Sequence, residues 1–263
     1  MLFLILGAFL LFFVFKECDG GGLQIKNDKH MPTIQNVTQP IVANDNMRND
    51  SQSKTPKDSY GICNIEMVDL GLSIKWAGWN VGASSPEEYG GYYAWGETSE
   101  KDEYTDDTYI WWTTEGVKWY LSGKITKYCN NDSETHNDIG CYDGRGVLEA
   151  GDDVARAVMG GNWRMPTKKE ITELTYNCKR KYTSVNGVPG FVLTGPNGNS
   201  IFLPLSGYKY EGELCYKNKV GCFWGSTVDS SCDRADHLYC SEGSFLGLYN
   251  MRYYGYNVRA VCE

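Results

Sequence analysis

GGNWRMPTKKEITELTYNC, residues 160–178, is the stretch that decides how the folded part of this chain is organised. Thr167 and Glu170 follow Pro166 at the spacing of a helix-capping box, in which each side chain satisfies a backbone N–H of the other residue. Four residues then recur on one helical face: Ile171, Leu174, Thr175 and Cys178. The stretch therefore predicts a helix that begins after Thr167 and turns one face towards a core.

A second helix is predicted immediately before this one. Asp152 and Asp153 place acidic side chains at the positive end of a helix, and the glycine pair 160–161 ends it. Its apolar positions are Val154, Ala155, Val158 and Met159.

Short strands and turns account for the rest of the folded part. Residues 66–77 alternate as in a hairpin with a break at Gly71, and residues 97–147 read as long loops interrupted by the aromatic run 109–112. Further strands are predicted at 91–95, 190–193, 200–203, 221–226, 237–239 and 257–261. Two helices among many short strands predict an α+β domain, not a parallel βαβ sheet.

Composition excludes some classes of protein. Apolar residues make up 41% of the 263 residues, with 19 Tyr, 8 Trp and 9 Phe, which is too much buriable surface for wholesale disorder. The formal net charge of −8 argues against a nucleic-acid partner, because phosphate binding needs a basic surface.

The ten cysteines form no CxxC motif, so a zinc ribbon or a thioredoxin-like site has no local support. Their unequal spacing is typical of a disulfide set in an oxidising compartment. Reduced, buried cysteines in a cytosolic protein are the alternative interpretation.

The N-terminus predicts export. Residues 1–15 are almost wholly apolar but too short to cross a bilayer as a helix, which is typical of a signal sequence. Segment 1–18 is therefore a signal sequence or membrane anchor; lipid attachment at Cys18, cleavage nearby and retention as an anchor remain open. Residues 19–60 are polar and proline-punctuated, and they predict a disordered tether before a domain at 61–263.

Several segments, in order, carry a family resemblance. They are VDLGLSIKWA (68–77), NVGA (80–83), YAWGET (93–98), GGNWRMPT (160–167), NSIFLP (199–204) and VRAVC (258–262). The domain resembles the Fibrobacter succinogenes major paralogous domain group of secreted and surface proteins, which is related in fold to C-type lectins and to the formylglycine-generating enzyme. The resemblance implies a C-type-lectin-like fold: two helices flanking twisted antiparallel strands with long loops, and paired N- and C-terminal strands.

The resemblance also implies a disulfide between Cys178 and Cys262, which would close a loop of about 85 residues. Local bridges Cys215–Cys222, Cys232–Cys240 and Cys129–Cys141 are further expectations, since sequence alone does not fix the pairing.

Variable-loop relatives bind through their last 40 or so residues, which here correspond to 226–256. Tyr, Ser, Asn and Arg on a rigid scaffold suit an adaptable binding surface. The expected ligand-binding residues are Trp224, Asp229, Asp233, His237, Tyr239, Tyr249, Asn250, Arg252, Tyr253 and Tyr254. About half of the tyrosines in this stretch are expected to pack in the core, and the placement of Tyr254 and Tyr256 stays open.

Catalysis and metal binding find little support in the motifs. The domain has only His136 and His237, with no GxSxG or HExxH. Gly195-Pro196-Asn197 lacks the first carboxylate of a lectin calcium site, so no cofactor is expected. The acidic loop 97–107 is either solvated or a site for a hard cation such as calcium.

The sequence thus predicts an exported, membrane-tethered surface module that binds an extracellular protein or glycan through its C-terminal loops, and is not an enzyme. Two alternatives are an oxidase like the formylglycine-generating enzyme, with Cys232 and Cys240 in the relevant late region, and a structural component of a surface appendage.

Overall fold

The computed structural model describes residues 66–118, 121–131 and 142–263, which form an α+β domain of mainly antiparallel sheets and two helices. The helices are α1 (Val154–Met159) and α2 (Lys168–Asn177). The strands are β1 (Met67–Val68), β2 (Lys75–Ala77), β3 (Trp112–Thr113), β4 (Lys124–Ile125), β5 (Lys179–Val185), β6 (Val188–Thr194), β7 (Ser200–Pro204), β8 (Tyr208–Tyr210), β9 (Glu213–Cys215), β10 (Val220–Val228), β11 (Arg234–Ser241), β12 (Ser244–Met251) and β13 (Val261–Cys262).

Both predicted helices are present, and local capping explains where they begin. Asp153 caps α1 by accepting hydrogen bonds from the N–H groups of Ala155 and Arg156. Thr167 and Glu170 form the predicted capping box of α2, and Glu170 also pairs with Arg164.

Two hydrophobic cores organise the domain. An aromatic core includes Trp95, Tyr128, Trp163, Trp224 and Tyr256, and an aliphatic core includes Ile171, Leu174, Phe191, Leu203 and Leu238. Each of the three larger sheets has three strands, ordered β1-β2-β13, β5-β6-β7 and β10-β11-β12, and the pairs β3–β4 and β8–β9 complete the described sheets.

The β10-β11-β12 sheet separates the two cores. Trp224 of β10 pairs with His237 of β11, and the neighbouring pair is Phe223 with Leu238. Adjacent residues of a strand point to opposite faces, so Trp224 enters the aromatic core while Phe223 enters the aliphatic core.

The two ends of the described chain meet in one sheet. Strand β2 pairs with β1, which confirms the hairpin expected over 66–77, and it also pairs with β13. The second pairing agrees with the closure that the family resemblance implied.

Three expected local structures are different. Within the strand expected at 257–261 only Val261 belongs to a strand, β13, and Asn257 makes an isolated bridge to Phe223. Residues 91–95 do not form a strand, because only Tyr93 makes a bridge, to Tyr256. The region 226–256 is not mainly loop: β11 and β12 pair over eight positions from Arg234 to Ser241, and the turn between them is short. A regular hairpin therefore occupies most of the expected binding loops.

The disulfide pattern differs from every predicted pairing. Cys129 bonds to Cys232, with Cα atoms 4.8 Å apart. Cys178 and Cys262 are both free thiols, because Cys178 packs against the aliphatic core while Cys262 lies in the aromatic core.

The predicted local bridges fail for related reasons. The bond to Cys129 uses Cys232, so neither Cys232–Cys240 nor Cys129–Cys141 forms. Cys222 and Cys240 are buried free thiols, and the Cys215–Cys222 bridge is absent. Cys141 itself lies outside the described residues.

The predictions for segments 1–18 and 19–60 concern residues outside the described part of the chain. His136 also lies outside it. Among the described residues, neither helix has the length and hydrophobicity needed to span a membrane.

Candidate ligand-binding site

A cleft of about 250 Å³ lies where the β3–β4 hairpin meets the two ends of the β11–β12 hairpin. Side chains from three separate parts of the chain line it. Those that carry aromatic or charged groups are Asp106, Tyr109, Trp112, Asp233, Arg252 and Tyr253.

Arg252 is the most constrained of these side chains. It is fully buried, and its Nε donates to the Tyr109 hydroxyl at 2.8 Å. Its Nη1 donates to the carbonyls of Cys232 at 2.9 Å and Lys127 at 3.0 Å. The guanidinium also lies 4.4 Å from the ring centroid of Trp95, a cation–π distance. The side chain therefore has one fixed position beside the cleft.

A second buried arginine shows what a fully satisfied guanidinium looks like in this domain. Arg259 donates through Nε to Asn80, through Nη1 to the carbonyls of Ala77 and Gly78, and through Nη2 to the carbonyl of Phe202. Arg252, by contrast, leaves Nη2 buried and without a hydrogen-bond partner among the described residues. Of the two fully buried arginines, only Arg252 has an unpaired donor; in the described residues the half-buried Arg156 also has one, at its Nε.

Two more lining residues carry buried polar atoms without hydrogen-bond partners in the described part of the chain. They are Trp112 Nε1, a donor, and Asp233 Oδ1, an acceptor. The closest described cation to Asp233 Oδ1 is the Nε of Arg234, at 4.0 Å, too far for a hydrogen bond. Buried polar groups in folded proteins are normally paired, so three such atoms on residues around one cleft distinguish it. The other buried polar atoms without hydrogen-bond partners in the described residues belong to Trp76, Arg156, Ser231, Asp236 and His237.

Burial and charge act together on the ionisable groups of the cleft. Burial lowers the pKa of Arg252, although Tyr109 and Tyr128 act in the opposite direction. Burial raises the pKa of Tyr253, and the nearby carboxylates of Asp106 and Asp233 raise it further. The cleft thus combines one guanidinium with two carboxylates.

The disulfide holds two sides of the cleft together. Cys129 follows Tyr128 on the segment after β4, and Cys232 precedes Asp233 before β11. Because Arg252 donates to the carbonyl of Cys232, the bond also fixes a partner of the buried guanidinium.

The expected ligand-binding residues fall in several places. Asp233, Arg252 and Tyr253 line the cleft. His237 and Tyr249 instead line a wider groove of about 750 Å³ between α2 and β12. Asp229, Tyr239 and Asn250 are half-buried and line neither; the side chain of Asp229 accepts from the N–H of Ser231, and that of Asn250 donates to Tyr256.

Besides Arg252, three expected contact residues are buried instead of presented to solvent. Trp224 donates its indole N–H to the carbonyl of Tyr93 and stacks on Tyr256, with centroids 4.3 Å apart. Tyr254 stacks on Tyr210 at 4.8 Å. Burial lowers the pKa of His237 to about 3, which keeps its imidazole neutral. These side chains build the core beneath the site.

Asp106, Tyr109 and Trp112 are not among the expected ligand-binding residues, and Asp106 is considered only as part of the acidic loop 97–107 that is either solvated or a cation site. The only sequence signal was the aromatic run 109–112 in polar surroundings. Aromatic side chains in such a segment need a place to pack, and here they pack against Arg252 and its neighbours.

Glu97 and Cys232, which were considered for metal binding and redox chemistry, have structural partners instead. Glu97 is buried, pairs with Lys101 and accepts from the N–H of Ile110, so it has structural partners. Within the described ranges no three His, Cys, Asp or Glu side chains converge as a metal site would require. The Cys232–Cys240 pair considered for oxidase chemistry does not form, because Cys232 bonds to Cys129.

The chain matches no family model, no curated protein and no solved structure.

Proposed function

We propose that this chain is an exported, membrane-tethered binding module with a C-type-lectin-like fold, which recognises an extracellular glycan or protein through the cleft at Arg252. The α+β architecture with paired terminal strands supports the fold. The apolar leader and polar segment of the sequence support export and tethering, and the disulfide is consistent with an oxidising compartment.

One observation carries the binding role: three buried polar atoms without partners belong to residues that line one aromatic cleft. Ligand sites are typically concave, largely apolar and equipped with a few placed polar groups. A rigid arginine held by the Tyr109 hydroxyl and two carbonyls is organised before binding, which lowers the entropic cost of association.

The geometry also favours binding over the hydrolytic alternative. His237 is buried between the rings of Trp224 and Tyr256, and its Nδ1 has no hydrogen-bond partner in the described part. A general base needs a reachable proton donor, and this imidazole lies at the groove between α2 and β12, not at the cleft beside Arg252.

The test is a glycan and protein array probed with the purified full-length chain in detergent. Tyr253→Ala removes a half-buried aromatic side chain from the cleft, and Tyr176→Ala, at a residue 82% exposed on α2, is the matched control. We expect ligands whose binding is reduced at least about tenfold by Tyr253→Ala and unchanged by Tyr176→Ala. Thermal unfolding of both variants verifies their fold.

An array without ligands would contradict the binding role. Ligands that bind wild type and Tyr253→Ala equally would contradict the assignment of the cleft.

A further inference from the structure

We propose that the open edge of strand β12 is a docking site for an extended acidic segment of a partner protein. The segment adds a strand beside β12 and directs its carboxylates towards the groove between α2 and β12. This groove shares no lining residue with the cleft at Arg252, so the inference does not depend on the ligand of that cleft.

Strand β12 is an edge strand with one open side. Among the described residues it pairs only with β11. The N–H of Met251 donates to the side chain of Asn250 instead of to β11. Backbone groups of an antiparallel strand alternate between its two sides, so those of Gly247 and Tyr249 face the same open side as the N–H of Met251. Both residues are exposed, so another strand can reach these groups and pair with them.

Apolar side chains are exposed beside this edge. Tyr249 is 51% exposed and Leu246 is 40% exposed, and Tyr176 of α2 is 82% exposed. All three line the groove. Exposed apolar side chains that lie together mark an interaction surface, whereas scattered single ones do not.

Two arginines give the α2 side of the edge a positive charge. The guanidinium of Arg180 lies over the ring of Phe245, and that of Arg234 lies over the ring of Tyr249, each 5.5 Å from the ring centroid. Arg180 is exposed, and the side chain of Arg234 is 39% exposed. A stacked guanidinium keeps its charge and its forked donors, which match the geometry of a carboxylate.

The acidic side chain of the groove is already paired. Asp236 is the sole carboxylate among the lining residues, and its Oδ1 lies 3.2 Å from the Nζ of Lys168. Arg180 and Arg234 therefore leave the edge positive, in a chain whose formal net charge is −8. Charge complementarity thus favours an acidic partner. A second copy paired about a twofold axis would instead bring the same arginines together.

The alternation of the strand predicts the sequence pattern of the partner. Phe245 and Tyr249 lie on the α2 face of β12 with the two arginines, and Leu246 lies on the opposite face. An added strand should therefore carry acidic side chains at every second position and apolar ones between them. The heptapeptide Glu-Val-Glu-Val-Glu-Val-Glu has this pattern and is the probe.

The test measures fluorescence anisotropy of the labelled heptapeptide with the full-length chain in detergent. One comparison peptide has lysine in place of glutamate. The other keeps every side chain but is N-methylated at alternate residues, which removes the N–H groups needed for strand pairing. We expect the acidic peptide to bind at least about tenfold more tightly than either comparison peptide.

Two variants at one position examine the strand pairing. Gly247→Pro removes an N–H on the open side and spares the bonds to β11, a position at which edge strands accept proline. Gly247→Ala keeps the N–H, and its Cβ meets only Ile171 Cγ2, at 3.8 Å. We expect the proline to weaken the peptide at least about tenfold and the alanine less than about twofold. Thermal unfolding verifies both variants; where Gly247→Pro does not fold, the N-methylated peptide decides.

A double variant examines the charges. Arg180→Gln with Arg234→Gln should weaken the peptide about five- to tenfold. Lys217→Gln is the matched control, because Lys217 is an exposed cation that also lies 5.5 Å from an aromatic ring centroid, that of Tyr89, and lines neither cavity. Its affinity for the peptide should equal that of wild type.

The outcomes separate this inference from the binding role of the cleft. Tyr253→Ala should leave the peptide affinity unchanged, and Tyr176→Ala should lower it. No binding of the acidic peptide, equal binding of the N-methylated peptide, or full affinity in the arginine double variant would overturn the inference. Heparin that binds through the two arginines while the peptide does not would assign the surface to an anionic glycan. A dimer that Gly247→Pro dissociates would assign it to a second copy, and either result also overturns the inference.

Discussion

The Nε of Arg252 donates a 2.8 Å hydrogen bond to the hydroxyl of Tyr109, a residue 143 positions earlier in the chain. The contact joins the end of β12 to the segment before β3, and the two residues line the same cleft. Because the same guanidinium also holds the carbonyls of Cys232 and Lys127, one side chain fixes three segments around the site.

Arg252→Met should therefore destabilise the domain strongly. The substitution leaves the carbonyls of Cys232 and Lys127 buried without this donor, and hydrogen bonds to charged groups contribute about 1.5–3 kcal/mol each. We expect the free energy of unfolding in urea to fall by at least about 3 kcal/mol.

Arg234→Met is the matched control for that substitution. The side chain of Arg234 is 39% exposed and lies 4.0 Å from its acidic partner, so we expect a loss below about 1 kcal/mol. Equal losses in the two arginine variants would contradict the structural role of Arg252.

The Cys129–Cys232 disulfide should be identified by peptide mapping under non-reducing conditions. It links residues 103 positions apart, and by the chain-entropy model its removal in Cys129→Ser with Cys232→Ser costs about 4 to 5 kcal/mol. Cys178→Ser, at a free thiol, should change stability far less. A peptide in which Cys129 or Cys232 is linked to another cysteine would contradict this disulfide, and a Cys178–Cys262 peptide would contradict the free state of those two thiols.

His237 should make the domain acid-sensitive. Its pKa falls from 6.5 to about 3 on burial, so below pH 6.5 the unfolded state binds more protons than the folded state. Stability is then fully present above pH 6.5 and is lost as the pH falls towards 3, by up to about 1.4 kcal/mol per pH unit.

His237→Gln should remove this contribution. Comparing urea unfolding of the variant and wild type from pH 7 to pH 5 cancels the other titrating groups. Parallel curves over that range would mean that the imidazole is not buried in its neutral form.

Gly195→Ala should disrupt the contact between the β6–β7 turn and the segment after β1. A Cβ at residue 195 would lie 1.9 Å from the carbonyl oxygen and 2.7 Å from the carbonyl carbon of Leu70. Both are backbone atoms that cannot move aside easily. We expect a loss of more than about 2 kcal/mol in thermal or urea unfolding.

Gly151→Ala provides the comparison, because its Cβ would meet nothing within 4 Å. Its effect should stay within about 0.5 kcal/mol. A tolerated alanine at residue 195 would contradict the close approach.

Local patterns predicted the helices and the first hairpin well. The capping box at Thr167 and Glu170 and the glycines at 160–161 depend only on neighbours within a few residues. Helix α2 begins at the capping box, and α1 ends at the glycines. The pairing of β1 with β2 is equally local.

The candidate site was predicted only in part. Asp233, Arg252 and Tyr253 were expected because a polar and aromatic C-terminal region suits binding, and they do line the cleft. The same reasoning also selected the buried residues Trp224, His237 and Tyr254, since residue type does not reveal whether a side chain packs in the core.

By itself, the sequence determined the α+β class, the two helices with their boundaries, and a C-terminal region rich in polar and aromatic side chains. Only the tertiary structure decided that Cys129 bonds to Cys232, that Arg252 is buried, and that Tyr109 and Trp112 join it at one cleft. The physical reason is distance along the chain: capping and hairpin formation act between near neighbours, whereas these contacts bring together residues more than 100 positions apart.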